Sequence, residues 1–113
     1  MNTSSLNNPN HIFRIDRFKV PAASREEFLA RVRTSNEILR AIPGFVEDCF
    51  LEQLDAAGDS KVITIAVWAN QQAFTNAKAT VQEHYKKIGF NPAEIIKRLG
   101  IEAEMDAYSK LEL

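Results

Sequence analysis

VITIAVWANQQAFTNA, residues Val62 to Ala77, is the stretch from which the fold can be read. It opens as a continuous apolar, β-branched run, the composition of a strand buried on both faces. At Trp68 the pattern changes, and Asn70 is a favoured helix N-cap because its side-chain oxygen can accept a bond from an orphan amide of the first turn. Phe74, Ala77, Val81 and Tyr85 then recur at helical spacing. A large aromatic thus stands where a buried strand ends and a helix begins, and sheet ends of this kind are common places for ligand pockets.

Upstream, Asp55 to Ser60 (DAAGDS) is polar and contains Gly58, which predicts a hairpin joining the strand Lys61–Trp68 to an earlier strand, Phe45–Leu54. Before that, Phe28, Val32, Leu39 and Ile42 mark the apolar stripe of a helix that ends at Pro43-Gly44. Ser24 and Glu27 have the S-x-x-E spacing of a capping box at its start. Ile12 to Val20 (IFRIDRFKV) is a first strand, stopped by Pro21. One of its faces carries Ile12, Arg14, Asp16, Phe18 and Val20, the other Phe13, Ile15, Arg17 and Lys19. Neither is wholly apolar, which predicts one face on a core and the other on a wetter cavity or interface.

Downstream, the second helix runs from about Asn70 to Ile88. Asn91-Pro92 starts a short third helix, with Asn as cap and Pro at the first helical position, and Gly100 stops it. In Ile101 to Leu113 apolar and polar residues alternate, the pattern of a half-buried strand.

The order is β-α-β-β-α-β with an extra short helix before the last strand. This predicts an α+β, ferredoxin-like fold: an antiparallel sheet with the helices on one face. The opposite face, expected to carry Asp16, Trp68 and Tyr108, is covered by nothing the chain supplies, and Phe18 and Trp68 argue against solvent alone as its neighbour. Residues 1–11, rich in Asn and Ser, are expected to form a disordered tail, and 12–113 a single domain.

Composition narrows the partners. With 14 basic and 15 acidic residues the net charge is -1, so neither nucleic acid nor an anionic membrane is expected. Cys49 is the only cysteine, which excludes an intramolecular disulfide and suits a reducing compartment. MNTSSLNNPN lacks the basic and apolar regions of a secretory signal, and no run approaches the ~20 apolar residues of a membrane span. A cytoplasmic location is expected. A domain this small also gains buried apolar surface by forming a homodimer.

Pro43-Gly44-Phe45, opening the second strand, and Val67-Trp68 followed by Ala73-Phe74 (V-W-x-x-x-x-A-F) resemble the antibiotic biosynthesis monooxygenase family of dimeric α/β barrels. The resemblance covers about Ile12 to Leu113 and implies two sheets facing each other across a two-fold axis. Each subunit would hold a pocket between its sheet and its helices, or between sheet and partner. Cofactor-independent monooxygenases of this kind oxidise aromatic polyketides to quinones. They use an Asn and a Trp four residues apart on the third strand, then a Tyr in the following helix. Trp68 matches the Trp, whereas the Asn position is Thr64 and the Tyr position is Phe74. A heme-degrading branch uses an Asn on the first strand with a Trp and a His on the second helix. The positions here are Asp16 and Ala77, with His84 as the nearest His, a departure that points away from heme degradation.

The candidate catalytic residues are therefore Asp16, Thr64, Trp68 and His84, and the candidate substrate-binding residues Phe18, Phe74 and Tyr108. Each has a structural reading beside the functional one. Asp16, mid-strand among apolar neighbours, suits a general base of raised pKa, or it pairs with Arg14 or Arg17. Trp68 is a pocket wall or a core anchor, and Thr64 is a hydrogen-bonding contact or a β-former. His84 is a base or proton shuttle, or a partly buried helix residue. Tyr108 is an interface residue or a pocket donor. His11 is expected at the surface, and Cys49 as inert packing on a central strand. Lys86-Lys87 is a solvated helix end.

Two functions follow. One is a cofactor-independent monooxygenase acting on a small electron-rich aromatic or quinol, with no metal and no cofactor, the substrate supplying the electrons after proton loss to Asp16 or His84. The other is a non-catalytic dimeric barrel that binds a small hydrophobic molecule. An isomerase- or heme-oxygenase-like relative on the same fold is a further option, because fold alone does not set the reaction.

Overall fold

The computed structural model describes residues 8–113. The expected tail falls largely on residues 1–7, which lie outside the described residues. What is seen of it ends in a turn, with the Asn10 amide donating to Asn8 Oδ1 (2.9 Å). This turn folds the chain back and tucks His11 in to 7% exposure, correcting the expectation that it sits at the surface.

The described residues form β1 (Ile12–Val20), α1 (Arg25–Arg40), β2 (Phe45–Leu54), β3 (Ser60–Trp68), α2 (Gln71–Ile88), α3 (Pro92–Arg98) and β4 (Glu102–Ser109). The strands make one antiparallel sheet in the order β2-β3-β1-β4, and the fold is ferredoxin-like α+β as expected. Cys49 lies on an edge strand and is exposed, not packed in the centre.

Local chemistry explains the element boundaries, with one revision. Asn70 Oδ1 accepts from the Ala73 amide at 2.8 Å, and Asn91 Oδ1 from the Ala93 amide at 3.0 Å, so both Asn caps form. The Ser24–Glu27 capping box does not. A 3-10 turn over Ala22–Ser24 leads into α1, and Ser24 Oγ donates instead to the Leu99 carbonyl (2.6 Å), while Glu27 pairs with Arg98. Both residues tie the start of α1 to the end of α3. Tertiary partners have outcompeted the local cap.

Arg25 grips Glu52 of β2 with two bonds, at 2.7 and 2.8 Å, and Ser60 Oγ also donates to Glu52, at 2.7 Å. These donors hold the Glu52 carboxyl down to about 2.

Gly44 has φ +91°, and a Cβ placed there would come within 2.5 Å of Ala73 Cβ in the first turn of α2. The Pro43-Gly44 turn therefore lets the end of α1 meet the start of α2 at backbone contact distance. Gly44→Ala combines a left-handed backbone with a clash, and it is expected to cost more than about 1–2 kcal/mol. Urea denaturation with both proteins monitored by circular dichroism measures it.

Strand pairing puts matching residues on one side of the sheet. Toward the helices one row reads Phe50, Thr64, Asp16 and Met105, the next Asp48, Ala66, Arg14 and Ala107. The other side carries Phe13, Ile15, Ile63, Ile65, Leu51, Cys49 and Tyr108 amid the charges of Arg17, Lys19, Lys61, Glu102 and Glu104. Asp16 and Trp68 thus lie on the side facing the helices, not on the bare face predicted for them. Tyr108 is on the bare face. β4 ends at Ser109 and is exposed along its whole length, because the helices do not reach over this edge strand. Among the described residues, no helix is long and apolar enough to cross a membrane.

Candidate functional site

The core between sheet and helices is divided. At one end Phe18, Val20, Phe28, Val62, Leu99 and Ile101 pack together. At the other, Ile12, Ile42, Trp68, Phe74 and Ala77 do the same. Between them lie the two sheet rows that hold Arg14, Asp16 and Thr64. Charged and hydroxyl groups do not pack against the apolar stripes of helices without large desolvation costs. Sheet and helices part at this level, leaving a cavity of about 830 Å³, within the range of small-molecule sites.

The floor is Arg14, Asp16, Thr64 and Ala66, with Trp68 at one end. The roof is Val32, Ser35, Asn36 and Leu39 of α1 and Ala77, Val81 and Tyr85 of α2, and α3 closes the far side with Ile95 and Ile96. On the β4 side the exposed Met105 and Ala107 form the rim.

Arg14 Nε donates to Asp16 Oδ1 at 2.7 Å. Burial nevertheless pushes the Asp16 carboxyl above its ordinary value. The Arg14 contact opposes that shift without cancelling it, and the Asp106 charge adds to it. Asp16 is thus an ion-pair partner of Arg14 and, in the same geometry, a carboxyl of raised pKa.

Trp68 is 3% exposed and meets the Phe45 ring edge-on, centroids 5.5 Å apart at 85°. It anchors the second cluster and also lines the cavity. Phe74, beside it, carries the Lys78 ammonium 5.5 Å above its ring.

Three expected site residues lie elsewhere. Phe18 packs against Phe28 within the first cluster, centroids 4.9 Å apart and rings tilted at 59°, and both rings are buried. Tyr108 accepts from Arg17 on the bare face (3.3 Å). His84 lies in a shallow dent on the outer side of α2, with Ala79, Thr80, Glu83 and Lys87. The helical twist carries it off the stripe formed by Phe74, Ala77, Val81 and Tyr85.

Tyr85, Ser35, Asn36 and Arg14 also line the cavity, and none of them is among the expected site residues. Tyr85 continues the α2 stripe, and its hydroxyl shares a hydrogen bond with Ser35 Oγ (3.3 Å) that spans α1 and α2. Asn36, 8% exposed, donates to Asp48, which also receives Arg40 at 2.9 and 3.1 Å. Arg14 had a visible signal: it shares a strand face with Asp16 between the apolar residues Ile12 and Phe18.

The described residues thus form an α+β domain with a ferredoxin-like sheet and a roomy, mixed polar and aromatic cavity under its helices. The chain belongs to the antibiotic biosynthesis monooxygenase family, whose model matches residues 12–88. No curated protein matches it in sequence.

Solved structures share its fold. A mutant of SnoaB, a cofactor-independent oxygenase from Streptomyces nogalater, superimposes with TM-score 0.61 at 22% identity, over 92% of this chain and 96% of that one. A conserved protein from Methanosarcina mazei Go1 gives 0.69 at 16% identity, over 91% and 95%. A dimeric ferredoxin-like protein from an uncultured marine organism gives 0.65 at 9% identity, over 92% and 98%.

Proposed function

We propose that this protein is a cofactor-independent monooxygenase that converts a small electron-rich phenol or quinol to a quinone inside the cavity. The observation carrying this reading is that Asp16, Thr64 and Trp68, from two adjacent strands, line one cavity with Phe74. The oxygenase description of SnoaB agrees with it.

The chemistry follows from the residues. A phenol lying on the aromatic wall of Trp68 and Phe74 loses its O–H proton to the Asp16 carboxylate, whose raised pKa brings it nearer the proton it must accept. The phenolate is a reductant strong enough to meet dioxygen directly. A carbon–oxygen bond forms at the ring carbon, the ring C–H proton leaves, and the O–O bond breaks. One oxygen atom becomes the new carbonyl and the other becomes water, with all four electrons supplied by the substrate. Thr64 serves as hydrogen-bond partner to the substrate oxygen. The phenol hydroxyl that Phe74 lacks is supplied within the cavity by Tyr85.

Oxygen electrode measurements with anthrone- and naphthol-type substrates test the proposal. Uptake of one O2 per quinone formed is the expected result. No uptake with any of them, and a bound ligand released unchanged from purified protein, would instead leave a binding protein.

The bare sheet face is proposed as a homodimer interface, supported by the apolar centre around Ile15, Ile63, Ile65 and Leu51 and by the dimeric ferredoxin-like relative. Light scattering is expected to give twice the chain mass at micromolar concentration, and Ile63→Glu to shift it to the monomer. A monomeric wild-type protein would exclude the interface.

A further inference from the structure

We propose that the substrate class is narrower than electron-rich aromatics: hydroxylated aromatic carboxylates, with Arg14 as the residue that receives the acid group. The inference rests on the cavity being the substrate site.

Its basis is a mismatch between the cavity and the whole chain. The chain is nearly neutral, at net charge -1. The cavity lining holds four cations, Arg14, Arg31, Lys78 and Lys86, against two carboxylates, Asp16 and Asp106. Asp106 sits opposite Ile15 in the strand register and its charge is felt at Asp16, and Glu27 outside the lining feels the charge of Arg31. Among the lining residues the cations outnumber the carboxylates by four to two.

Their placement matters as much as their number. Arg31 and Lys78 stand over aromatic faces, at 5.4 Å from the Phe90 centroid and 5.5 Å from Phe74, and neither forms a salt bridge within 4.0 Å among the described residues. They form a basic, aromatic-backed rim. Such a rim concentrates field lines at a low-dielectric opening and draws anions inward.

Arg14 lies below them on the floor, with its side chain 29% exposed and Nε engaged by Asp16. Its two terminal amino groups have no hydrogen-bond or ion-pair partner among the described residues. A planar guanidinium fork with free donors in a half-buried cavity matches a carboxylate and is left unsatisfied by a neutral arene. A carboxylate held there brings the ring hydroxyl next to Asp16, which touches the same guanidinium.

Isothermal titration calorimetry with 1-hydroxy-2-naphthoate and 1-naphthol tests this without requiring turnover. The acid is expected to bind roughly ten- to hundred-fold more tightly than the naphthol. Arg14→Gln is expected to bring the ratio close to one. Lys78→Gln, an exposed rim substitution that spares the floor, is expected to lower it about two- to five-fold. The wild-type preference should also shrink as salt is raised.

Equal affinities in the wild type would overturn the proposal, as would a preference unchanged in both variants and insensitive to salt. Binding of neither compound would overturn it together with the cavity as the substrate site. A preference for the acid without oxygen consumption would support the anion site and remove the oxygenase reading alone.

Discussion

Asp16→Asn is expected to lower the rate of oxygenation by roughly 10²–10⁴-fold, the loss typical of a general base, while leaving the fold in place. The two side chains are nearly isosteric, and the amide oxygen can keep the Arg14 Nε contact that the carboxylate makes at 2.7 Å. Only the capacity to take a proton is lost.

The pH profile separates this from a structural effect. Burial raises the Asp16 pKa, and the base is competent only when ionised. The wild-type rate should therefore climb through that raised value and level off above it, and the variant's residual rate should lack this limb. Stopped-flow oxygen consumption from acid to neutral pH gives both readings. An unchanged rate in Asp16→Asn would remove Asp16 as the base.

The same shift has a stability consequence of known sign. A carboxyl whose folded pKa is raised above its ordinary value of 3.8 binds its proton more tightly in the folded state. Its contribution is present below that value and is lost as pH rises through the folded pKa. Glu52 behaves in the opposite sense. Its pKa falls from 4.5 to about 2, so its contribution is present above 4.5 and is lost as pH falls toward 2.

Trp68→Ala should produce the largest loss of stability of any single substitution considered, about 3–5 kcal/mol. Trp68 is 3% exposed and packs with Ile12, Ile42, Phe74 and Ala77. The cavity already leaves this cluster without neighbours on one side, so collapse into the new void would require α2 to move. Against a total stability of about 5–15 kcal/mol, the loss corresponds to a melting temperature lower by roughly 12–40 °C.

Thermal denaturation followed by circular dichroism measures it, and a drop equivalent to less than about 1 kcal/mol would show that Trp68 is no anchor. Trp68→Phe preserves an apolar wall and should lose far less stability. A fall in oxygenation in that variant, with stability nearly kept, would identify the indole as a substrate contact in its own right.

The elements of the fold were legible because their signals are local. Asn70 and Asn91 cap helices with their own side chains, and Pro43-Gly44 ends α1 by backbone conformation alone. The Ser24–Glu27 pair shows the limit. The spacing of a capping box was present, but Leu99 and Arg98, far away in the chain, took both side chains. His11 and Cys49 show the same limit for burial: a turn at Asn8 and the edge position of β2 set their exposure, and neither can be read from neighbouring residues.

The site was half legible. The β1 face reading Ile12, Arg14, Asp16, Phe18, Val20 has apolar ends and a charged middle, the pattern of a sheet that floors a cavity. Alternation within one strand shows that these residues share a face, but not which face meets the helices. That assignment depends on the register with β3, which sets Asp16 opposite Thr64 and Ile12 opposite Trp68, and on the side to which both connections return.

Val62 to Ala77 thus specified a buried strand, a capped helix and an aromatic at their junction through short-range propensity and hydrogen bonding. The hollow above Asp16, the inclusion of Tyr85 and Arg14, and the exclusion of His84, Phe18 and Tyr108 arose from packing between segments distant in the chain. Pairwise contacts of that kind leave little trace in the spacing of residues along the sequence.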